Sequence, residues 1–132
     1  AFKGVEVGAG FASSAAFGSE LHDEILFEND KITRSRNNAG GIEGGMSNAQ
    51  PIHVKVSMKP ISTLIKPLRS IDLNTIEPKL AHKERTDSCA VPAASIIGES
   101  MLAIVLADAL LEKFGGDSIK QLKKHIESSG KY

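Results

Sequence analysis

Asn37-Asn38-Ala39-Gly40-Gly41-Ile42-Glu43-Gly44-Gly45-Met46-Ser47-Asn48-Ala49-Gln50-Pro51 places four glycines within six consecutive positions. Such a run strips side chains from a backbone that something must approach closely, at the cost of conformational entropy. Asparagines flank it, and their amides bond backbone or ligand while tolerating left-handed geometry. One reading is a flexible glycine turn. The other follows from the polar rim, which suits a planar or phosphorylated small molecule lying on bare main chain.

The string resembles the glycine-rich signature of the chorismate synthases, flavin-dependent lyases that end the shikimate pathway. Three further stretches carry the same resemblance. Gly8-Ala9-Gly10-Phe11, leading to Gly18-Ser19-Glu20 and Asp23-Glu24, is similar to the segment that precedes the family's glycine loop. Lys59-Pro60-Ile61-Ser62-Thr63 resembles its lysine-proline flavin loop, and Arg85-Thr86-Asp87-Ser88-Cys89 its arginine-aspartate-cysteine signature. Thr86 and Ser88 stand where the commonest family pattern has histidine and proline, which touches the rigidity of that loop but leaves Arg85 and Asp87 in place. Only the C-terminal part of such an enzyme is matched, since the family's N-terminal histidine signatures and phosphate-binding arginines have no counterpart here.

The resemblance implies conversion of 5-enolpyruvylshikimate 3-phosphate to chorismate by loss of phosphate and a proton, a carbon-oxygen lyase reaction without net redox change. It implies reduced FMN as cofactor, lending electron density to the departing phosphate and recovering it as the proton leaves, and it associates the family with NADP. It also implies a homotetramer. Position by position, it assigns flavin contacts to Ala1 at the site edge, Gly44, Lys59, Pro60, Ile61, Ser62, Thr63 and Arg85. Asp87 takes the catalytic role of accepting the proton relayed from the substrate through the flavin. Without the family's histidines and most of its substrate-phosphate arginines, this chain is expected to be inactive by itself. The competing class is a non-catalytic interaction or assembly domain whose glycine loop is a tight connection, and a bound yellow chromophore separates the two.

A length of 132 residues fits one domain or part of one, spanning 1–132, and is short for an enzyme that must hold a flavin and a second ligand. Sixteen basic and sixteen acidic side chains cancel, which removes the basic field of a nucleic-acid binder. Cys89 is the single cysteine, so no internal disulfide forms, and with no signal-peptide pattern a reducing, cytoplasmic setting is expected. The strongly apolar run 101–111 contains Asp108 and falls short of a bilayer span, so no membrane is expected.

Along the chain, 3–7 alternates weakly as a strand that Gly8 and Gly10 end. The stretch 11–20 has no deciding periodicity. Segments 24–27 and 31–34 flank Asn29-Asp30 as a hairpin leading into the glycine loop. Ile52, Val54, Val56 and Met58 alternate with His53, Lys55 and Ser57, which predicts a strand with one buried face. Segments 68–73 and 76–82 pair about Asn74-Thr75, with Pro78 restricting the return strand to an edge. Val91-Pro92 opens a helix that Gly115-Gly116 stops near Phe114, apolar nearly all round and therefore expected to be buried on most sides. Asp117 or Ser118 caps a last amphipathic helix that frays into 128–130. Strands followed by helices give an α+β fold, an antiparallel sheet with hairpins covered by the long C-terminal helix and a short terminal one.

Other chemistries are set aside on spacing. The loop lacks the Gly-Lys-Ser/Thr ending of a P-loop, and Gly8-Ala9-Gly10 lacks the third glycine of a dinucleotide fingerprint. His22, His53, His82 and His125 stand too far apart in sequence for a metal motif, so no metal site is expected. His22 reads as a surface or sheet-edge histidine and Cys89 as a buried small hydrophobe. Lys59 to Thr63 combines one cation and two hydroxyls with a rigid proline, a set that grips a flavin phosphate or ribityl chain, or else a solvated loop. Arg85 and Asp87, two apart, point the same way in an extended segment and either pair with each other or approach one ligand together.

Overall fold

The computed structural model describes residues 1–85 and 87–129. They form two compact units, 1–85 and 86–132, and Thr86 and 130–132 lie outside the described residues. The first unit contains every described strand. Strand β1 (Phe2–Val7) leads into a 3-10 turn at Gly10–Ala15 and the single-turn helix α1 (Gly18–Leu21). Thereafter come β2 (Ile25–Glu28), β3 (Lys31–Arg34), β4 (Ile42–Glu43), β5 (Met46–Ser47), β6 (Val54–Met58), β7 (Arg69–Ile71) and β8 (Pro78–Leu80). They pair antiparallel as β1–β6, β2–β3, β4–β5 and β7–β8. The α+β class is as expected, but the sheet is four two-stranded ribbons rather than one continuous surface.

Turn chemistry explains three of these ribbons. Asn29 and Asp30 take φ of 52° and 59°, the left-handed pair that closes a two-residue hairpin and sets Glu28 opposite Lys31. Gly44 and Gly45, at φ 58° and 78°, do the same between Glu43 and Met46. Between β7 and β8 the turn is longer than the expected Asn74-Thr75 pair. Asp72 accepts from the Asn74 N–H through its side chain at 2.9 Å, its N–H donates to the Glu77 carbonyl at 2.9 Å, and its carbonyl accepts from the Ile76 N–H at 2.8 Å. A Lys79–Asp72 ion pair of 2.9 Å crosses the ribbon, and Lys79 together with the Asn74 N–H holds the Asp72 carboxyl below its ordinary pKa.

The β1–β6 ribbon joins the start of the unit to the stretch after the glycine loop, with Val7 opposite Val54 and Phe2 opposite Met58. Its expected buried face is only partly covered, Val54 and Val56 remaining 36% and 39% exposed. Among the described residues no hydrophobic side chain is buried. Alternation shows which face a strand turns toward a core but not whether the partner lies within the same 132 residues.

In the second unit α2 (Val91–Phe114) carries proline in its first turn and ends at Gly115, whose N–H bonds the Leu111 carbonyl at 2.8 Å. Ser118 caps α3 (Ile119–Ser128) by accepting from the Gln121 N–H, while the His125 Nδ1 lies 2.6 Å from the Phe114 carbonyl oxygen. Both helices are where the sequence puts them. The expected burial of α2 is absent, since no residue on it is buried and Ile96, Ile104 and Val105 are about as exposed as surface residues. At 24 residues α2 is also long and apolar enough, by length and composition, to cross a membrane. Counting only 101–111 underestimated it, because the apolar character resumes before Glu99. Core helices of soluble proteins have the same make-up. Cys89, expected to be buried, is exposed.

Candidate functional site

The glycine loop is packed first against its own chain. Gly8, Gly40 and Gly41 are buried, and a Cβ on Gly40 would stand 2.3 Å from the Gly8 nitrogen, while one on Gly8 would stand 2.0 Å from the Asn38 carbonyl oxygen. The two backbones therefore touch where any side chain would part them. A Cβ on Gly41 would meet the Pro51 carbonyl at 2.6 Å. A Cβ on Gly44 or Gly45 would meet nothing within 4 Å. The glycines thus divide into a pair that lets the chain pack on itself and a pair at the hairpin tip that leaves bare main chain open.

Polar side chains fix this arrangement. The Asp23 carboxylate accepts from the N–H of Asn38 at 2.9 Å and of Ala39 at 2.8 Å, one oxygen each. Asn38 in turn donates to the Leu21 carbonyl at 2.8 Å. Asn37 closes the other side, donating to the Pro51 carbonyl and accepting from the Gly41 N–H, both at 2.8 Å. Main-chain bonds from Gly8 to the His53 carbonyl and from His53 to the Gly40 carbonyl tie the loop to the β1–β6 ribbon. Asn37 and Asn38, read from sequence as bonding backbone or ligand, are spent on backbone.

A cavity of about 420 Å³ lies beside the loop, lined by residues of β1, the 3-10 turn and α1, together with His22, Asp23, Asn38, Ala39, Glu43 and Gly44. It falls within the roughly 300–1,000 Å³ range of small-molecule sites. Glu43 is its charged feature not committed to backbone. Arg34 approaches the Glu43 Oε2 at 2.8 Å through Nη2 and 3.2 Å through Nε, and Asn48 Nδ2 donates to the same oxygen at 2.9 Å. The Asn48 bond and then the Arg34 bonds hold the Glu43 carboxyl below its ordinary pKa. Sequence reading missed Asp23 and Glu43 as site residues. Asp23 acts fifteen positions away, so nothing local marks it, whereas Glu43 sits between the two glycine pairs and was legible there.

The expected flavin contacts separate into groups. Ala1 and Lys59 come together, the Lys59 N–H donating to the Ala1 carbonyl at 2.9 Å. Lys59, Pro60, Ile61 and Ser62 are exposed and Thr63 is half-buried, and among the described residues no hydrogen bond occupies the Ser62 or Thr63 hydroxyl. These lie beyond the Met58 end of β6, whereas the glycine loop and Gly44 adjoin its Val54 end. Val54 to Met58 is four steps, roughly 14 Å at a strand rise of about 3.3 Å. One ligand touching both groups must extend along the ribbon. Arg85 closes the first unit and Asp87 belongs to the second, and both are exposed without being free of partners. Thr86, between them, lies outside the described residues. Among the described residues no group of three or more His, Cys, Asp or Glu is arranged to hold a metal ion.

Residues 1–111 match the family model of chorismate synthase. The chain belongs to the chorismate synthase family. It is 59% identical over 128 residues to the chorismate synthase of Aquifex aeolicus (strain VF5), covering 96% of this chain and 32% of that protein. To the chorismate synthase of Geotalea uraniireducens (strain Rf4) it is 53% identical over 136 residues, covering 97% of this chain and 35% of the relative. A crystal structure of chorismate synthase superposes with a TM-score of 0.72 at 47% identity, covering 96% of this chain and 31% of that one. The chain spans about one third of the length of the relatives it matches. The glycine loop, Lys59–Thr63, Arg85 and Asp87 all fall within the matched 1–111.

Proposed function

We propose that this chain works as one part of a chorismate synthase, a lyase that removes phosphate and a proton from 5-enolpyruvylshikimate 3-phosphate to form chorismate, with reduced FMN. The observation that carries the reading is the glycine loop within the family match, where two glycines interlock the chain and two more leave open main chain beside a cavity. The residues present fit an FMN. It is an extended molecule with a flat ring system at one end and a phosphate at the other, and the ribbon presents two separated contact groups. Lys59 with the Ser62 and Thr63 hydroxyls suits the phosphate through charge and hydrogen bonds. Gly44, where an added Cβ would meet nothing within 4 Å, lets the ring lie against backbone. Pro60 and Ile61 stiffen the phosphate loop, Ala1 supports it through the Lys59 N–H, and Arg85 adds a second cation.

When bound, reduced FMN supplies the electron-rich chemistry that assists departure of the phosphate. This chain's own catalytic group is the Asp87 carboxylate, whose oxygens take up the proton that leaves the substrate. The covering surfaces that α2 requires come from the rest of the protein and from the other subunits of a homotetramer, and the assembly is cytoplasmic. The test is chorismate formation from 5-enolpyruvylshikimate 3-phosphate under reducing conditions. The complete protein should turn over with FMN and the 132-residue chain should not. Turnover by the 132-residue chain, or none by the complete protein, contradicts the reading.

A further inference from the structure

The Arg34–Glu43–Asn48 cluster is asymmetric. All three donated bonds reach Glu43 Oε2, and among the described residues no donor reaches Oε1. Arg34 is mostly covered, its side chain 14% exposed, while that of Glu43 is 37% exposed. The guanidinium and the Asn48 amide therefore fix the carboxylate in place and in its ionised form, and they leave one acceptor oxygen on a residue that lines the cavity. The neighbouring Gly44-Gly45 turn contributes bare main chain to the same edge. The other carboxylate there, Asp23, has both oxygens committed to N–H groups of the loop.

A lone ionised acceptor beside an open turn of bare backbone disfavours an anion and favours a planar group that carries an N–H donor. We propose that Glu43 Oε1 accepts the ring N–H of the flavin, so that Glu43 is a specificity-determining residue that places the ring end of the cofactor at the glycine hairpin and its phosphate end at Lys59. This rests on the FMN reading and adds to it a direction and a ring contact. In its oxidised form the isoalloxazine carries a single ring N–H, at N3, so the contact has one donor to find. A carboxylate receiving it makes a charge-assisted bond, the stronger kind. A phosphate at the same place would face the Glu43 charge, whereas at Lys59 it meets an ammonium.

The experiment measures dissociation constants of oxidised FMN, riboflavin and 3-methylriboflavin by quenching of flavin fluorescence, on the complete protein. Wild type should bind riboflavin roughly ten- to a hundredfold more tightly than 3-methylriboflavin, whose N3 cannot donate. Glu43→Gln, which offers an amide where the free oxygen stood, should weaken FMN and riboflavin by about the same factor and erase the preference over 3-methylriboflavin. Lys59→Ala should weaken FMN while sparing riboflavin. Asn48→Ala removes a strut of the cluster without removing Oε1, so it should retain the preference. Equal affinity of wild type for riboflavin and 3-methylriboflavin overturns the proposal without using a variant. So does a Glu43→Gln protein that keeps the preference. Failure of wild type to bind FMN at all defeats the cofactor reading instead, which separates the two.

Discussion

Asp87 carries the proposed proton transfer, and its replacement separates chemistry from structure. Asp87→Asn keeps the shape and some hydrogen bonding but cannot take up a proton. In the complete enzyme turnover should fall about 10²–10⁴-fold with flavin affinity little changed. Near-normal turnover would reject the role, and joint loss of turnover and flavin binding would assign Asp87 to pairing with Arg85. At Glu43 the sign of the pH effect follows from its lowered pKa. A carboxyl held low when folded contributes stability above its ordinary titration range and loses it as pH falls through the lowered value. Its titration midpoint, followed by carboxyl carbon NMR in the complete protein, should lie below the ordinary one and move upward in Asn48→Ala. An unmoved midpoint would show that the 2.9 Å Asn48 bond has no influence on the charge.

At the scale of elements, the glycine loop predicts two distinct costs for one kind of substitution. Gly40→Ala forces a Cβ to within 2.3 Å of the Gly8 nitrogen at φ +66°, so backbone must move, and destabilisation should exceed about 3 kcal/mol. Gly45→Ala meets only the left-handed conformation in open space, φ +78°, and should cost about 1–2 kcal/mol. Melting curves of the complete protein check the order, and equal losses would deny the interlock. Sequence made much of this level legible. Asn29-Asp30, Val91-Pro92, Gly115 and Ser118 mark a turn, a helix start, a stop and a cap through local backbone chemistry, and each stands where local rules place it. Local rules could not show that Asn37, Asn38 and Asp23 serve the backbone of the loop, because those bonds join residues four to seventeen positions apart. Nor could they divide the glycines into packed and open pairs. The family resemblance supplied the site residues, and spacing alone left Lys59–Thr63 and Arg85 with ordinary surface readings.

For the whole molecule the governing fact is how little apolar surface is covered. Leu106, Leu110 and Leu111 on α2 are 40%, 39% and 51% exposed, and hydrophobic burial is the main term set against chain entropy. The chain spans about a third of the length of its relatives, and under the proposed reading α2 is covered by the rest of a longer protein. Leu106→Ala should cost roughly 2–5 kcal/mol in the complete protein and little in the 132-residue chain; a near-zero change in the complete protein would mean that α2 stays exposed there. The most direct measurement of the central claim is a crystal structure of the complete protein with FMN bound. The flavin should contact Gly44, the Lys59–Thr63 loop and Arg85, with its phosphate at Lys59. A flavin beyond contact distance of all three stretches would contradict the account.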